Sequence, residues 1–82
     1  MQPSKFIYQI QTEPHYNILV RILARFARSR VKIEALQAGQ VAEEPQRISI
    51  LVSDTKDNVI KMSRVIDKEI DVLSVTLFEQ TF

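Results

Sequence analysis

Side chains able to do chemistry are sparse in this chain, and their spacing excludes more than it suggests. His15 is the only histidine and there is no cysteine. A zinc set of histidine and thiolate ligands therefore cannot be assembled, and neither a thiol nucleophile nor a disulfide is available. A serine nucleophile would need His15 as its base, and no motif places the two together. Gly39 is the only glycine, so no Gly-rich turn exists to cradle a phosphate. Asp67, Glu69 and Asp71 lack the spacing of a calcium loop and read as residues that close a helix and open a turn. No catalytic residue, metal ligand or cofactor site is expected. His15 itself reads as an ordinary residue of a loop containing Pro14, with contact to a ligand or partner as the functional alternative.

Cationic residues offer a second kind of chemistry. Arg21, Arg25, Arg28, Arg30 and Lys32 follow one another with no acidic residue between Arg21 and Lys32. Helical spacing puts the first three on one stripe. The plain reading is a solvated helix face. The functional one is a surface, Arg21, Arg25 and Arg28, that docks on an acidic patch of a larger subunit. Nucleic acid is disfavoured, because the formal net charge is only +1 and gives no strong general pull toward polyanions. RNA-recognition sheets also stack bases on exposed aromatics of their central strands. Here Phe6 and Tyr8 alternate with Gln9 and Gln11, which assigns the rings to a core, and the stretch Arg47 to Ser53 has no aromatic residue.

These residues must be positioned by six elements. Phe6, Tyr8 and Ile10 alternate with polar neighbours, the period of a strand with one buried face, from Lys5 to Gln11. After a loop over Thr12 to Tyr16, Asn17 is a candidate N-cap, and Ile18, Leu19, Ile22, Leu23 and Phe26 recur at helical spacing as far as Ser29. Val31 to Ala38 alternates as a second strand, with Leu36 out of phase, as a bulge would make it. Arg47 to Ser53 is a third strand, turning Ile48, Ile50 and Val52 to one side. Asp54 is the candidate cap of a second helix, whose apolar side is Val59, Ile60, Met62, Val65 and Ile66. Val72 to Phe78 closes the chain's regular structure with Leu73, Val75 and Leu77 on one face.

The order β-α-β-β-α-β, with one apolar face per strand, calls for helices on that face only. It predicts an α+β fold: a ferredoxin-like sandwich of four antiparallel strands with two helices on one face, spanning residues 1–82 as a single domain. Right-handed crossovers put the first and third strands in the middle of the sheet and leave the second and fourth as edges. Ile7 and Leu51 would then stand on the uncovered face among Gln9, Gln11, Arg47 and Ser49, a small patch of the kind that meets a partner. Hydrophobic residues make up 45% and charged residues 26%, proportions of a soluble globular chain. No long apolar run follows Met1-Gln2-Pro3-Ser4-Lys5, so neither a signal peptide nor a membrane span is expected, and the expected location is the cytoplasm.

The wording of the sequence is more specific than its topology. The run Ile18-Leu19-Val20-Arg21-Ile22-Leu23-Ala24-Arg25-Phe26-Ala27-Arg28 resembles the first helix of ACT domains, and Val31-Lys32-Ile33-Glu34-Ala35-Leu36 resembles the strand after it. The stretch Val65-Ile66-Asp67-Lys68-Glu69-Ile70-Asp71-Val72-Leu73-Ser74-Val75 is similar to the K-x-x-D-V-x-x-V ending of acetolactate synthase regulatory subunits. The resemblance runs from about Lys5 to Phe78, and its length is that of the short, single-domain type found with isozyme II. It implies a non-catalytic small subunit of acetolactate synthase, in branched-chain amino acid biosynthesis, that binds and activates the thiamine-diphosphate-dependent catalytic subunit. It also implies a homodimer paired through strand edges, with the second strand at the contact.

An effector, by the same resemblance, would lie between the loop His15, Tyr16, Asn17 and Ile18 of one chain and Val31, Lys32 and Ile33 of its neighbour. The chain departs from the valine-binding pattern there. Its loop has no glycine to let a carboxylate approach backbone amides. Lys32 stands where the family has an asparagine, and a lysine cannot accept a hydrogen bond from an ammonium group. Activation without valine sensing is thus the expectation. The alternative is a free-standing amino-acid-binding ACT module that regulates another partner.

Overall fold

The computed structural model describes residues 4–14, 17–40 and 44–80. Elements follow in the order β1 (Ser4–Thr12), α1 (Ile18–Ser29), β2 (Lys32–Gly39), β3 (Gln46–Asp54), α2 (Lys56–Asp67) and β4 (Val72–Gln80). The four strands form one antiparallel sheet in the order β2-β3-β1-β4. The two strands with the cleanest alternation therefore take the centre, as expected.

The period of two in β1 and β3 builds the core directly. Phe6, Tyr8 and Ile10 lie beside Val52, Ile50 and Ile48 in register, and all six are buried. Ile18, Ile22 and Phe26 of α1 and Val59, Met62 and Ile66 of α2 cover them. Each such side chain contributes about 1.5–3 kcal/mol when taken out of water. The Tyr8 and Phe26 rings meet edge to face with centroids 5.2 Å apart, the arrangement ring quadrupoles favour. Gln9 and Gln11, between the core residues of β1, are exposed on the other side, so both helices lie on one face.

Two irregularities in register explain residues that fall out of phase. The pairing of β2 with β3 shifts between Ile33 and Ala35. Glu34 is the extra residue, and Leu36, not Ala35, takes the helix side opposite Ile50; the bulge inferred from the phase of Leu36 is present. The second shift is between Gln11 and Thr12, which pair with Ser74 and Val72. Leu73 is skipped and exposed, while Val72 packs against the core. The assignment of Leu73 to the buried face is thus corrected: simple alternation fails where an extra residue enters the strand.

The helix ends correct two further expectations. Asn17 holds the cap position of α1 but has helical backbone angles and makes no side-chain capping bond. Thr55, not Asp54, caps α2: its backbone is extended and its hydroxyl accepts from the Asn58 amide at 3.4 Å. Asp54 supports the cap from one residue back, accepting from the Thr55 amide at 2.6 Å. Val65, expected on the apolar side of α2, is exposed. The buried stripe is the narrower set Val59, Met62 and Ile66.

Candidate functional site

Three regions of the surface carry polar or apolar groups that the core does not use. The first joins α1 to the turn before β4. One turn of helix separates Arg21 from Arg25, so both guanidinium groups point to the same side. Arg21 donates to the Asp71 carboxylate at 3.0 Å and to the Ile70 carbonyl at 3.3 Å. Arg25 Nε donates to Glu69 Oε2 at 3.0 Å, and the other Glu69 oxygen is 3.9 Å from Arg21. The Glu69 side chain is only 10% exposed, so the α2 to β4 turn places a nearly buried carboxylate between two arginines. Asp71 adopts φ 74°, a conformation that aspartate tolerates better than most residues. Chemically this is a clamp of two cations on two anions that holds α1 to the turn.

Arg21 and Arg25, two of the three arginines proposed for docking, are thus turned toward Glu69 and Asp71 of their own chain. Arg28, in the last turn of α1, is exposed. Asp67, Glu69 and Asp71 do not form a cation site: among the described residues, no three groups of metal-ligating type are placed to share an ion.

The second region is the junction of α1 with β2, where the effector contacts were expected. Arg30 ends α1 in the left-handed region (φ 58°, ψ 26°), and that reversal sends Val31 back into the core. Lys32 then opens β2 with a side chain that is 75% exposed and 3.9 Å from Glu34. Ile33 packs against the core and Ile18 is fully buried. Asn17 and Lys32 are the members of the expected set with exposed side chains among the described residues. His15 and Tyr16 lie outside the described residues. The outer side of α1 beside this junction carries Val20, which is 67% exposed, with Ala24 and Ala27 one and two turns on. The free edge of β2 adds Leu36, also exposed. Sequence reading left these residues out because none belongs to the core stripe; their spacing of four and three residues was the available signal.

The third region is the sheet face opposite the helices. Lys5 and Glu34 form an ion pair at 2.8 Å on β1 and β2. The Lys5 hydrogen bond, with the charges of Lys5 and Lys32, holds the Glu34 carboxyl below its ordinary range although burial acts the other way. Beyond this pair, a shallow depression of about 510 Å³ is lined by Ile7, Gln9, Ala35, Leu36, Gln37, Ser49 and Leu51. The Ser49 hydroxyl donates to the Gln9 side-chain amide oxygen, Oε1, at 2.9 Å across its floor. Ile7 and Leu51 stand there as expected from alternation. Ala35 joins them, placed there by the register shift at Glu34, and Phe78 of β4 pairs with Ile7 on the same face, where alternation with Leu77 puts it.

No family model matches the chain, and no curated protein matches it significantly in sequence. Solved structures do match. The ACT domain of the GTP pyrophosphokinase of Chlorobium tepidum superposes with a TM-score of 0.81 at 10% identity, over 93% of this chain and 99% of that one. An uncharacterized protein of Thermotoga maritima gives 0.81 at 15% identity, over 98% and 100%. The regulatory subunit of aspartate kinase from Thermus thermophilus gives 0.72 at 14% identity, over 95% of this chain and 52% of that one. The fold is therefore the βαββαβ sandwich that ACT domains have. In this structure no helix among the described residues is long and apolar enough to cross a membrane.

Proposed function

We propose that this chain is a non-catalytic regulatory module of the ACT kind, and specifically a small subunit that activates acetolactate synthase. The observation that carries the reading is the likeness to the ACT domain of a GTP pyrophosphokinase, 93% of this chain on 99% of that one. The regulatory subunit of aspartate kinase shares the fold, which supports a role exerted on another polypeptide. The finer assignment rests on the sequence motifs along α1, β2 and the α2 to β4 turn.

Activation requires that the module bind the active conformation of the catalytic subunit more tightly than the inactive one. Arg28 and the apolar outer side of α1 are the groups free to make that contact, since Arg21 and Arg25 are engaged with Glu69 and Asp71. The free edge of β2 is the surface through which two copies would pair. That pairing would bring the exposed Lys32 of one copy near the loop before α1 of the other. Lys32 there suits a carboxylate better than an ammonium group.

The test is acetolactate formation by the catalytic subunit of the same organism, with and without the purified protein. Increased activity and a joint peak on size-exclusion chromatography are expected. Added valine, leucine or isoleucine should leave the activated rate unchanged. If the protein neither activates nor co-elutes, the synthase assignment fails. A rise in Tm with a millimolar amino acid would then support the free-standing amino-acid-binding module, because any ligand that prefers the native state stabilises it.

A further inference from the structure

The turn between α2 and β4 is tied at every position. The Val72 amide closes it onto the Glu69 carbonyl at 3.2 Å, and the Glu69 amide donates back to the Ile66 carbonyl at 3.0 Å. The Asp71 carbonyl accepts from the Glu13 amide at 2.8 Å, and the Ile70 carbonyl accepts from Arg21 at 3.3 Å. Both side chains that flank Ile70 are held as well, Asp71 by Arg21 and Glu69 by Arg25, each at 3.0 Å. Asp71 has the positive φ, 74°, that a type II turn needs at its third position. The Ile70 side chain takes part in none of these bonds. It is 71% exposed, the most of any large hydrophobic residue among the described ones. Turn positions go mostly to Gly, Pro, Asn, Asp and Ser, each of which helps to close the turn. An isoleucine adds nothing to closure and leaves apolar surface in water.

We propose that Ile70 is an anchor residue, an apolar knob that the clamp of Arg21 and Arg25 holds out for insertion into a pocket of the partner polypeptide. The choice of partner, the catalytic subunit of acetolactate synthase, rests on the function proposed above. Anchors of this kind carry most of the energy of a contact and sit in a well-packed, desolvated pocket. They act best when their geometry exists before the encounter, because ordering a mobile loop on binding takes back part of the gain. The bonds to Arg21, Arg25 and Glu13 supply that order in the unbound chain.

The clamp also sets the charge around the knob. Asp71 and Glu69 neutralise Arg21 and Arg25, so a pocket that receives Ile70 need not desolvate an unpaired ion at its border. Arg28 continues the arginine stripe two turns beyond Arg21, about 10 Å along the helix, and is exposed. The matching surface is therefore an apolar pocket with a carboxylate on the order of 10 Å away. Arg21 acts through Ile70 and is a positioning residue.

The test is the Kd of the full chain for the catalytic subunit, measured on variants whose circular dichroism shows them folded. Ile70→Ser should weaken binding by about thirtyfold or more, the loss a hot-spot residue shows. Ile70→Val, one buried methylene smaller, should lose only about fourfold. Arg21→Lys keeps the charge but not the fork that reaches both Asp71 and the Ile70 carbonyl, and should weaken binding several-fold. In the Ile70→Ser background the same change should add little, because the knob it positions is gone. Equal losses from Arg21→Lys in both backgrounds would overturn the positioning role. A parent chain that binds while Ile70→Ser binds equally well overturns the anchor and leaves the regulatory reading standing. A parent chain that does not bind the catalytic subunit overturns both.

Discussion

Tyr8 and Val59, 51 residues apart in sequence, are joined by a buried hydrogen bond in which the Tyr8 hydroxyl donates to the Val59 carbonyl at 2.7 Å. The bond ties the central strand β1 to the first turns of α2, while the same ring packs edge-on against Phe26 of α1. One side chain thus links three elements.

Tyr8→Phe keeps the ring and removes only the donor. Leaving the Val59 carbonyl without this partner should cost about 1–2 kcal/mol. In a chain of this size each kcal/mol corresponds to roughly 4–8 °C in Tm. Burial, with a smaller contribution from the Asp54 charge, pushes the Tyr8 hydroxyl well above its ordinary range. A raised phenol favours the neutral form in the folded state. Its contribution is therefore complete below the unfolded value of about 10 and declines as pH rises above it. Thermal unfolding of both chains between pH 7 and 11 should show the parent's advantage shrinking at the alkaline end. A variant as stable as the parent at pH 7 would show that water or another donor serves Val59 equally well.

Arg25 and Arg28 are three residues apart, yet their substitutions should behave differently. Arg25 donates to Glu69, whose side chain is 10% exposed. Arg25→Ala strips that carboxylate of its nearest cation, which should destabilise the fold by about 1 kcal/mol, the upper part of the range for partly exposed pairs. The gain from the clamp is limited, because Arg21 Nε is buried without a hydrogen-bond partner. Arg28→Ala should change stability by less than about 0.5 kcal/mol and, under the proposed function, instead weaken association with the acetolactate synthase catalytic subunit. Urea denaturation and a pull-down on both variants check this. Equal effects of the two on stability would contradict the division of roles.

The bulge residue Glu34 gives a pH dependence of opposite sign to that of Tyr8. Its carboxyl is held low chiefly by the hydrogen bond from Lys5. A group with a depressed folded value stabilises above the unfolded carboxylate value, about 4.3, and that contribution disappears as pH falls through the folded value. Glu34→Gln should be less stable than the parent at pH 7 and converge with it in acid. Raising the salt to about 1 M, where screening reaches within roughly 3 Å, should narrow the gap at pH 7 as well. An acid limb of stability identical in the two chains would remove Glu34 from the account.

How far these features could be read from sequence depends on how local their causes are. The alternation of Phe6, Tyr8 and Ile10, and of Ile48, Ile50 and Val52, located the two central strands because each strand has one buried face, a property of neighbours two residues apart. The phase slip at Leu36 gave away the β2 bulge by the same rule. Leu73 misled because its strand begins with an extra residue after the Asp71 turn, and nothing local distinguishes Val72 from Leu73 as the inward one. Asp54 and Thr55 are both good caps, and only the end of β3 decides between them. The clamp of Arg21 and Arg25 on Glu69 and Asp71 was invisible because it joins residues 44 to 50 positions apart. The basic stripe therefore read as free charge.

Arg30 offers the last prediction, and it concerns strain rather than contact. It closes α1 with φ 58°, where a side chain crowds the following carbonyl and a residue other than glycine is disfavoured by about 1–2 kcal/mol. Its amide still donates to the Ala27 carbonyl at 3.4 Å, so the reversal is part of the helix end and must persist in any variant. Arg30→Gly removes the crowding, while the added freedom of the unfolded chain takes back about 0.4–1 kcal/mol. The net expectation is a gain of roughly 0.5–1 kcal/mol, with α1 and the entry of Val31 into the core unchanged. Arg30→Ala keeps the crowding and should show no such gain. Paired melting curves separate the two causes: if both substitutions shift Tm alike, the effect comes from loss of the arginine's charge, and if only glycine raises it, the backbone at this helix end is the source.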